Sequence, residues 1–459
     1  MLQSVARDSR AMVSLARLAM IDRPAGSILF QGPGWTVTAP AFLADVARVA
    51  ADLPTGGTVA NCCQDRYWFV VAFLAALSRG AVSLMSGDPS PARLSAFATQ
   101  YPGLVSVSDD PTFTSPLPHV TIGPSAVRAI AAPLVEIAAE QTALIVFTSG
   151  STGEPTGTVK NWGELVARSR AAGGAFGLSE SAPAAIIGTV PPQHMYGLET
   201  TVLLPLHAPV SAWCGPVFYP ADIRAALDEA PGTRILVTTP LQLRAMLRLD
   251  PPQRPPERII SATAPLDTET AAAAETAWGS VVEEIFGASE VGSIARRRTT
   301  AGPIWTLYPG VVLGGTEEAP IVTAPGAEPR RLNDVIERQA GGRQFRLLGR
   351  NSDLLKLGGR RASLVGLGAI LTAIPGVEDG VFLAPEDLDR NDAARLTAFV
   401  VAPSLSAAAI LAELRRSIDP VFLPRRLIHV PALPRTSMGK LPRQALLALL
   451  AETQARIES

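Results

Sequence analysis

Residues 142–160, TALIVFTSGSTGEPTGTVK, hold the densest set of groups suited to chemistry. They begin as an apolar run over 143–147 with β-branched residues inside it, the pattern of a buried strand. The run breaks into Thr148-Ser149-Gly150-Ser151-Thr152-Gly153-Glu154-Pro155-Thr156-Gly157. Glycine lets the backbone take positive φ and approach a ligand closely. Hydroxyls and free backbone N–H groups hydrogen-bond phosphate oxygens. The loop is therefore a candidate nucleotide-phosphate cradle. It lacks the Gly-Lys-Ser/Thr of a Walker A loop and the Gly-x-Gly-x-x-Gly of a dinucleotide turn. Taken alone, a flexible Gly/Ser/Thr surface loop has an equal claim.

The surrounding pattern supplies elements to hold such a loop. Helical stretches over 41–53, 67–79 and 162–173 alternate with strand-like runs over 57–61, 81–85, 185–189 and 235–239. That alternation predicts an α/β layer fold with parallel strands. Residues 108–118 read as a loop. Several strand-like runs end in small and polar residues. The run at 185–189 leads into Pro191-Pro192-Gln193-His194-Met195-Tyr196-Gly197. The run at 259–261 enters Ala262-Thr263-Ala264-Pro265-Leu266, and 281–286 enters Gly287-Ala288-Ser289-Glu290. Ligands in open α/β sheets bind where such strand ends meet. The texture changes after a predicted hairpin strand at 342–346. A boundary near Arg350 divides a large domain, 1–349, from a small α+β domain, 350–459.

Composition narrows the function classes. A chain of 459 residues predicts two or three domains. A net charge of −1 gives no electrostatic reason to expect nucleic acid. Cys62, Cys63 and Cys214 form no disulfide framework and nothing has zinc-ligand spacing, so a reduced, cytoplasmic setting is expected. The longest apolar run, 68–77, is too short to span a membrane and reads as a buried helix.

Several of these loops, in this order, resemble the adenylate-forming superfamily of acyl-CoA synthetases, aryl-acid ligases and adenylation domains. The loop at 148–157 is similar to the family's phosphate loop, Ser/Thr-Ser-Gly-Thr/Ser-Thr-Gly-x-Pro-Lys-Gly. Residues 192–197 resemble its gating loop, and Phe286-Gly287-Ala288-Ser289-Glu290 resembles its aromatic-Gly-x-Thr-Glu motif. Asn333-Asp334 resembles the ribose-binding Gly-Asp pair, and Gly349-Arg350 resembles the end of the large domain. Leu433-Pro434-Arg435-Thr436-Ser437-Met438-Gly439-Lys440 resembles the catalytic-lysine motif. The resemblance implies a large N-terminal domain of layered sheets and helices and a small mobile C-terminal one. It implies ATP-dependent activation of a carboxylic acid to an acyl-adenylate, followed by transfer to a thiol.

Making an acyl-adenylate gathers negative charge around the phosphates, so cations and donors are needed there. The resemblance gives Thr148, Ser149, Gly150, Ser151, Thr152, Gly153 and Ser289 to the nucleotide and Asp334 to the ribose. Arg350 would bridge ribose or phosphate. Glu290 would hold Mg²⁺, a hard ion that prefers carboxylate oxygen. Lys440 would carry charge to the carboxylate and α-phosphate, and His194 would act beside it. Singly, Glu290 and Lys440 read as solvated charges, His194 as a structural histidine and Asp334 as a helix cap. Three departures stand out. The usual loop lysine is Thr156 here, so either Lys160 takes its place or the loop works without it. The hinge position is Ser352, and 359–363 lacks the family's acidic residue, which bears on thioester formation more than on adenylation.

The acid pocket implied by the resemblance comprises His194, Tyr196, Trp213, Thr263, Ala264, Phe286 and Gly287. These residues suit a flat aryl or conjugated acid, and residues 191–199 resemble ligases of aryl-polyene pathways. The acceptor thiol is an acyl carrier protein phosphopantetheine, or alternatively free CoA. Basic residues dominate 415–443, Arg425 and Arg426 among them, and would steer an acidic carrier; a solvated charged face is the plain alternative. A nucleotide-binding relative without turnover is the alternative from a different class.

Overall fold

The computed structural model describes residues 16–125, 135–149, 155–350, 354–357, 360–385, 395–435 and 441–458. The helix Arg66–Ser78 is the centre of the N-terminal part. Asp65 caps it, accepting a hydrogen bond from the Trp68 amide at 3.1 Å. Every residue over 69–77 is buried. A helix that is apolar all round must be covered on all sides. The covering includes Phe42 on the helix Ala39–Asp52, Val59 and Leu144 on a six-stranded sheet, and Leu198 and Val202. In that sheet Thr58–Asn61, Val82–Met85 and Thr142–Ser149 run parallel. The strand Pro155–Asn161 folds back antiparallel on Thr142–Ser149, so the phosphate-loop candidate joins the two arms of a hairpin.

The second sheet has eleven strands. Its central strands, Val281–Ala288, Arg258–Ser261, Thr233–Thr238, Ala184–Gly188 and Val210–Trp213, lie side by side and parallel. Side chains alternate between the two faces of a strand. Ala184 and Ile186 enter a core with Trp305, Tyr308 and Phe345. Ala185 and Ile187 face the opposite way, into a core with Leu227, Leu243 and Trp278. Both faces are covered, as a parallel sheet requires.

After residue 350, Asp379–Leu383, Thr397–Val401 and Arg426–His429 form a three-stranded sheet. Helices Leu364–Thr372 and Ala407–Ser417 cover one face through Leu371, Ile410 and Leu414. Leu446, on the helix Arg443–Glu458, packs on the other. Both cores contain only residues after 350. The architecture is the mixed α/β class expected. No described helix is long and apolar enough to cross a membrane. Among the strands that the sequence pattern does not announce are His119–Thr121 and Pro155–Asn161. Both are short or rich in Pro, Gly and Thr, and their pairing partners make them strands.

Candidate active site

The parallel strands deliver four loops to one end of the large sheet. Tyr196 ties them together. Its hydroxyl donates to the Ile260 carbonyl at 2.8 Å and the Thr238 carbonyl at 3.2 Å, on two adjacent strands. Burial pushes the Tyr196 phenol far above its usual range, so it stays a donor. Gly197 follows because a Cβ there would lie 2.1 Å from the Pro191 carbonyl oxygen. His194 precedes this turn. A Cβ on Gly87 would meet its ring at 3.4 Å, so the imidazole lies against the loop that leaves Val82–Met85. His194 therefore sits where strand ends of the two sheets converge.

Thr263 follows the strand Arg258–Ser261 with φ +78°, the only positive φ outside glycine among the described residues. A β-branched residue there is strained, and such strain clusters at ligand sites. Ala264 beside it is half-buried. Phe286 is half-buried and stacks near Trp305 and Phe345, at centroid distances of 5.8 and 5.9 Å. Gly287 is required by a close approach: a Cβ would lie 2.7 Å from the Gly292 carbonyl oxygen.

The tight turn at 289–291 joins Val281–Ala288 to Gly292–Arg298. The Val291 amide donates to Ala288 at 3.0 Å. Glu290 is exposed on it, Ser289 half-buried and Val291 buried. The exposed carboxylate suits Mg²⁺, which takes one or two carboxylates and completes its shell with water and substrate phosphate. Among the described residues no three His, Cys, Asp or Glu side chains converge on a metal position.

Beneath the turn lies a buried charge cluster that the sequence reading missed. Glu199 is buried on a π-helical segment, Leu198–Leu203. π-Helical turns occur frequently at functional sites. Its carboxylate accepts from the Ser293 amide at 3.0 Å and from the Ser293 hydroxyl. The Arg168 guanidinium, also buried, lies 3.8 Å from it. Glu164, one turn before Arg168 on the helix Trp162–Phe176, pairs with Lys160 on the strand Pro155–Asn161. The only sequence signal was the presence of lone charges inside apolar stretches, Glu199 in LETTVLL above all.

Two expectations need correction. Lys160 was the candidate replacement for the missing phosphate-loop lysine. It is 1% exposed, and its ammonium contacts the Glu164 carboxylate and donates to the Glu290 carbonyl at 2.6 Å. A buried ammonium engaged by protein oxygens is not a phosphate ligand. Trp213 was placed in the acid pocket. It shares the face of Ala185 and Ile187 and packs with Ile223 and Leu227, opposite the core against which Tyr196 and Phe286 pack. A one-residue difference in strand register places a side chain on the other face.

Asp334 begins the strand Asp334–Arg338 and is the direct cross-strand partner of Arg350. The helix-cap reading of Asp334 falls with that, and two proposed nucleotide contacts become neighbours. Thr148 and Ser149 end their strand at the loop. The side chains of Thr148, Ser149 and Arg350, and all of Gly150, Ser151, Thr152, Gly153 and Lys440, lie outside the described residues.

The comparisons with known proteins agree with this geometry. A family model described as AMP-binding enzyme matches residues 96–329. The chain is 31% identical over 308 residues to 4-coumarate–CoA ligase of Rhodobacter capsulatus, spanning 66% of this chain and 76% of that protein. In fold it is similar to ATP-bound MatB from Rhodopseudomonas palustris, with a TM-score of 0.78 at 21% identity over 94% of this chain and 96% of that one. It is similar also to the anthranilate CoA ligase AuaEII in complex with anthranoyl-AMP, with a TM-score of 0.77 at 18% identity over 94% and 95% of the two chains. A shared family, a shared fold and strand-end loops gathered at one edge lead to one conclusion: the chain belongs to the AMP-binding enzymes of the adenylate-forming superfamily and is an acid–thiol ligase.

Proposed function

We propose that this ligase activates an aryl or hydroxyaryl acid with ATP and Mg²⁺ and passes the acyl group to the phosphopantetheine thiol of an acyl carrier protein. The observation that carries the reading is the meeting of His194, strained Thr263 and the Glu290 turn at one end of the parallel strands. The acid carboxylate attacks the α-phosphorus of ATP, and the bond to pyrophosphate breaks. The thiol then attacks the acyl carbon, loses its proton, and AMP leaves. Mg²⁺, when bound, would offset charge on the phosphates, and Glu290 would hold it. Residues 148–153 cradle the β- and γ-phosphates, with Ser289 beside them, and Asp334 and Arg350 take the ribose. His194 orients the carboxylate in a site lined by Tyr196, Thr263, Ala264, Phe286 and Gly287. Lys440, carried on a small domain from 350 onward, supplies the charge that meets the α-phosphate. Three buried thiols fit a cytoplasmic setting.

The aryl preference draws on the half-buried, weakly polar residues around His194 and on the relative that acts on 4-coumarate. The carrier preference draws on Arg425 and Arg426, which are exposed and make no ion pair among the described residues. With Arg395 they border a depression floored by Thr397 and Leu450. Free CoA is the second reading, favoured by the CoA ligase relative.

Acid-dependent ATP–pyrophosphate exchange over hydroxybenzoates, cinnamates, fatty acids and amino acids tests the first half-reaction. Exchange with one aryl acid supports the reading, and exchange with fatty or amino acids alone refutes the aryl assignment. Lys440→Ala is expected to abolish exchange and leave ATP binding within about two-fold; full exchange would remove Lys440 from catalysis. Reversing Arg425 and Arg426 to Glu is expected to slow carrier loading about ten-fold at low salt and leave exchange intact. Unchanged loading would return the acceptor to free CoA.

A further inference from the structure

The two arms of the site, the phosphate-loop hairpin and the turn at 289–291, are joined by one buried side chain. The hairpin register pairs Lys160 with Leu144, and a bulge follows between Lys160 and Asn161. The strand Pro155–Asn161 thus brings Lys160 under the turn at 289–291, 130 residues away in sequence. Its ammonium donates to the Glu290 carbonyl at 2.6 Å, and Glu164 balances its charge from below. Just beyond the turn, at the start of the strand Gly292–Arg298, the Ser293 amide donates to Glu199 at 3.0 Å. Fixing a carbonyl on one side and an amide on the other sets the peptide planes between them. The plane that contains the Glu290 carbonyl adjoins the Glu290 Cα and so restrains the direction in which the exposed side chain leaves the turn.

We infer that Lys160 is a positioning residue that locks the turn at 289–291 to the strand Pro155–Asn161 of the phosphate-loop hairpin, so that the backbone bearing the Glu290 carboxylate keeps a fixed place against that strand. The inference rests on the proposed role of Glu290. It also accounts for Thr156: the lysine of this segment acts beneath the site rather than inside it. Groups that support a metal ligand are worth about ten-fold or more in metal affinity.

Lys160→Met alone leaves Glu164 buried without its partner and risks unfolding, so the test variant is Lys160→Met with Glu164→Gln, which removes both charges together. Leu227→Ala, in the core on the opposite face of the large sheet, is the control for lost stability. Two quantities are measured on the full chain. Backbone hydrogen exchange over 286–294 is expected to rise in the double variant and to match wild type in Leu227→Ala. The half-saturating Mg²⁺ for pyrophosphate exchange is expected to rise about ten-fold in the double variant and not in the control. Unchanged exchange protection of the turn overturns the tie. A loosened turn with unchanged Mg²⁺ dependence overturns its role in positioning Glu290. A wild-type chain without pyrophosphate exchange would defeat the functional reading, and turn protection would still decide the tie.

Discussion

Gly292→Ala tests whether Glu199 occupies the position that holds the turn at 289–291. Gly292 has φ +88°, and a Cβ there would lie 2.1 Å from Glu199 Oε1 and 3.1 Å from its carboxyl carbon. Ordinary contact needs about 3.5 Å, so the carboxylate would retreat by roughly 1 Å or more. It has nowhere easy to go. The Glu199 side chain is 5% exposed, accepts from Ser293 and faces Arg168. Left-handed backbone in alanine costs about 1–2 kcal/mol. Losing a charge-assisted buried hydrogen bond costs about 1.5–3 kcal/mol. The sum is roughly 2.5–5 kcal/mol, toward the severe end for a single substitution. Gly279→Ala separates the two contributions. Its φ is +65° and nothing lies within 4 Å of its Cβ position, so only the backbone cost of about 1–2 kcal/mol applies. Urea unfolding of the three proteins gives both differences. Equal destabilisation of Gly292→Ala and Gly279→Ala would refute the placement of Glu199 against the turn.

Other outcomes follow from individual contacts. Tyr196→Phe removes the donor to the Ile260 and Thr238 carbonyls. It is expected to cost about 1–2 kcal/mol and to raise the KM for the acid, because the segment bearing His194 loses its anchor; a thermal melt with substrate titration reads both, and an unchanged KM would remove Tyr196 from the site. His207 is buried, and burial pulls its imidazole down to about 4, with Arg170 adding to the effect. The unfolded chain binds that proton near pH 6.5 and the fold does not, so stability is present above about 6.5 and lost as pH falls toward 4. The full effect is roughly 3 kcal/mol, and a melting curve of His207→Leu should be flatter than wild type between pH 6.5 and 4.

The order of the motifs, the α/β alternation and the apolar helix at its centre were legible in the chain. Each is local: a run such as 142–147 or a segment such as 286–290 carries its character in consecutive residues. Glu290, His194 and Thr263 could be named as candidates because they follow strand-like runs and because the order of those segments resembles a known family's motifs. What consecutive residues do not carry is which face of a strand a side chain takes, or what lies across from it. Trp213 looks like a pocket aromatic, yet register turns it into the opposite core. Lys160 looks like a spare phosphate ligand, yet the hairpin and its bulge carry it beneath a turn 130 residues later. Asp334 and Arg350 became neighbours only through antiparallel pairing. Glu199 and Arg168 drew no notice, because a charge in an apolar stretch reveals its role only when its partners are known. Local pattern determined the elements and the candidate chemistry. Long-range packing decided which charges were buried, since only there does desolvation force each one to find a partner.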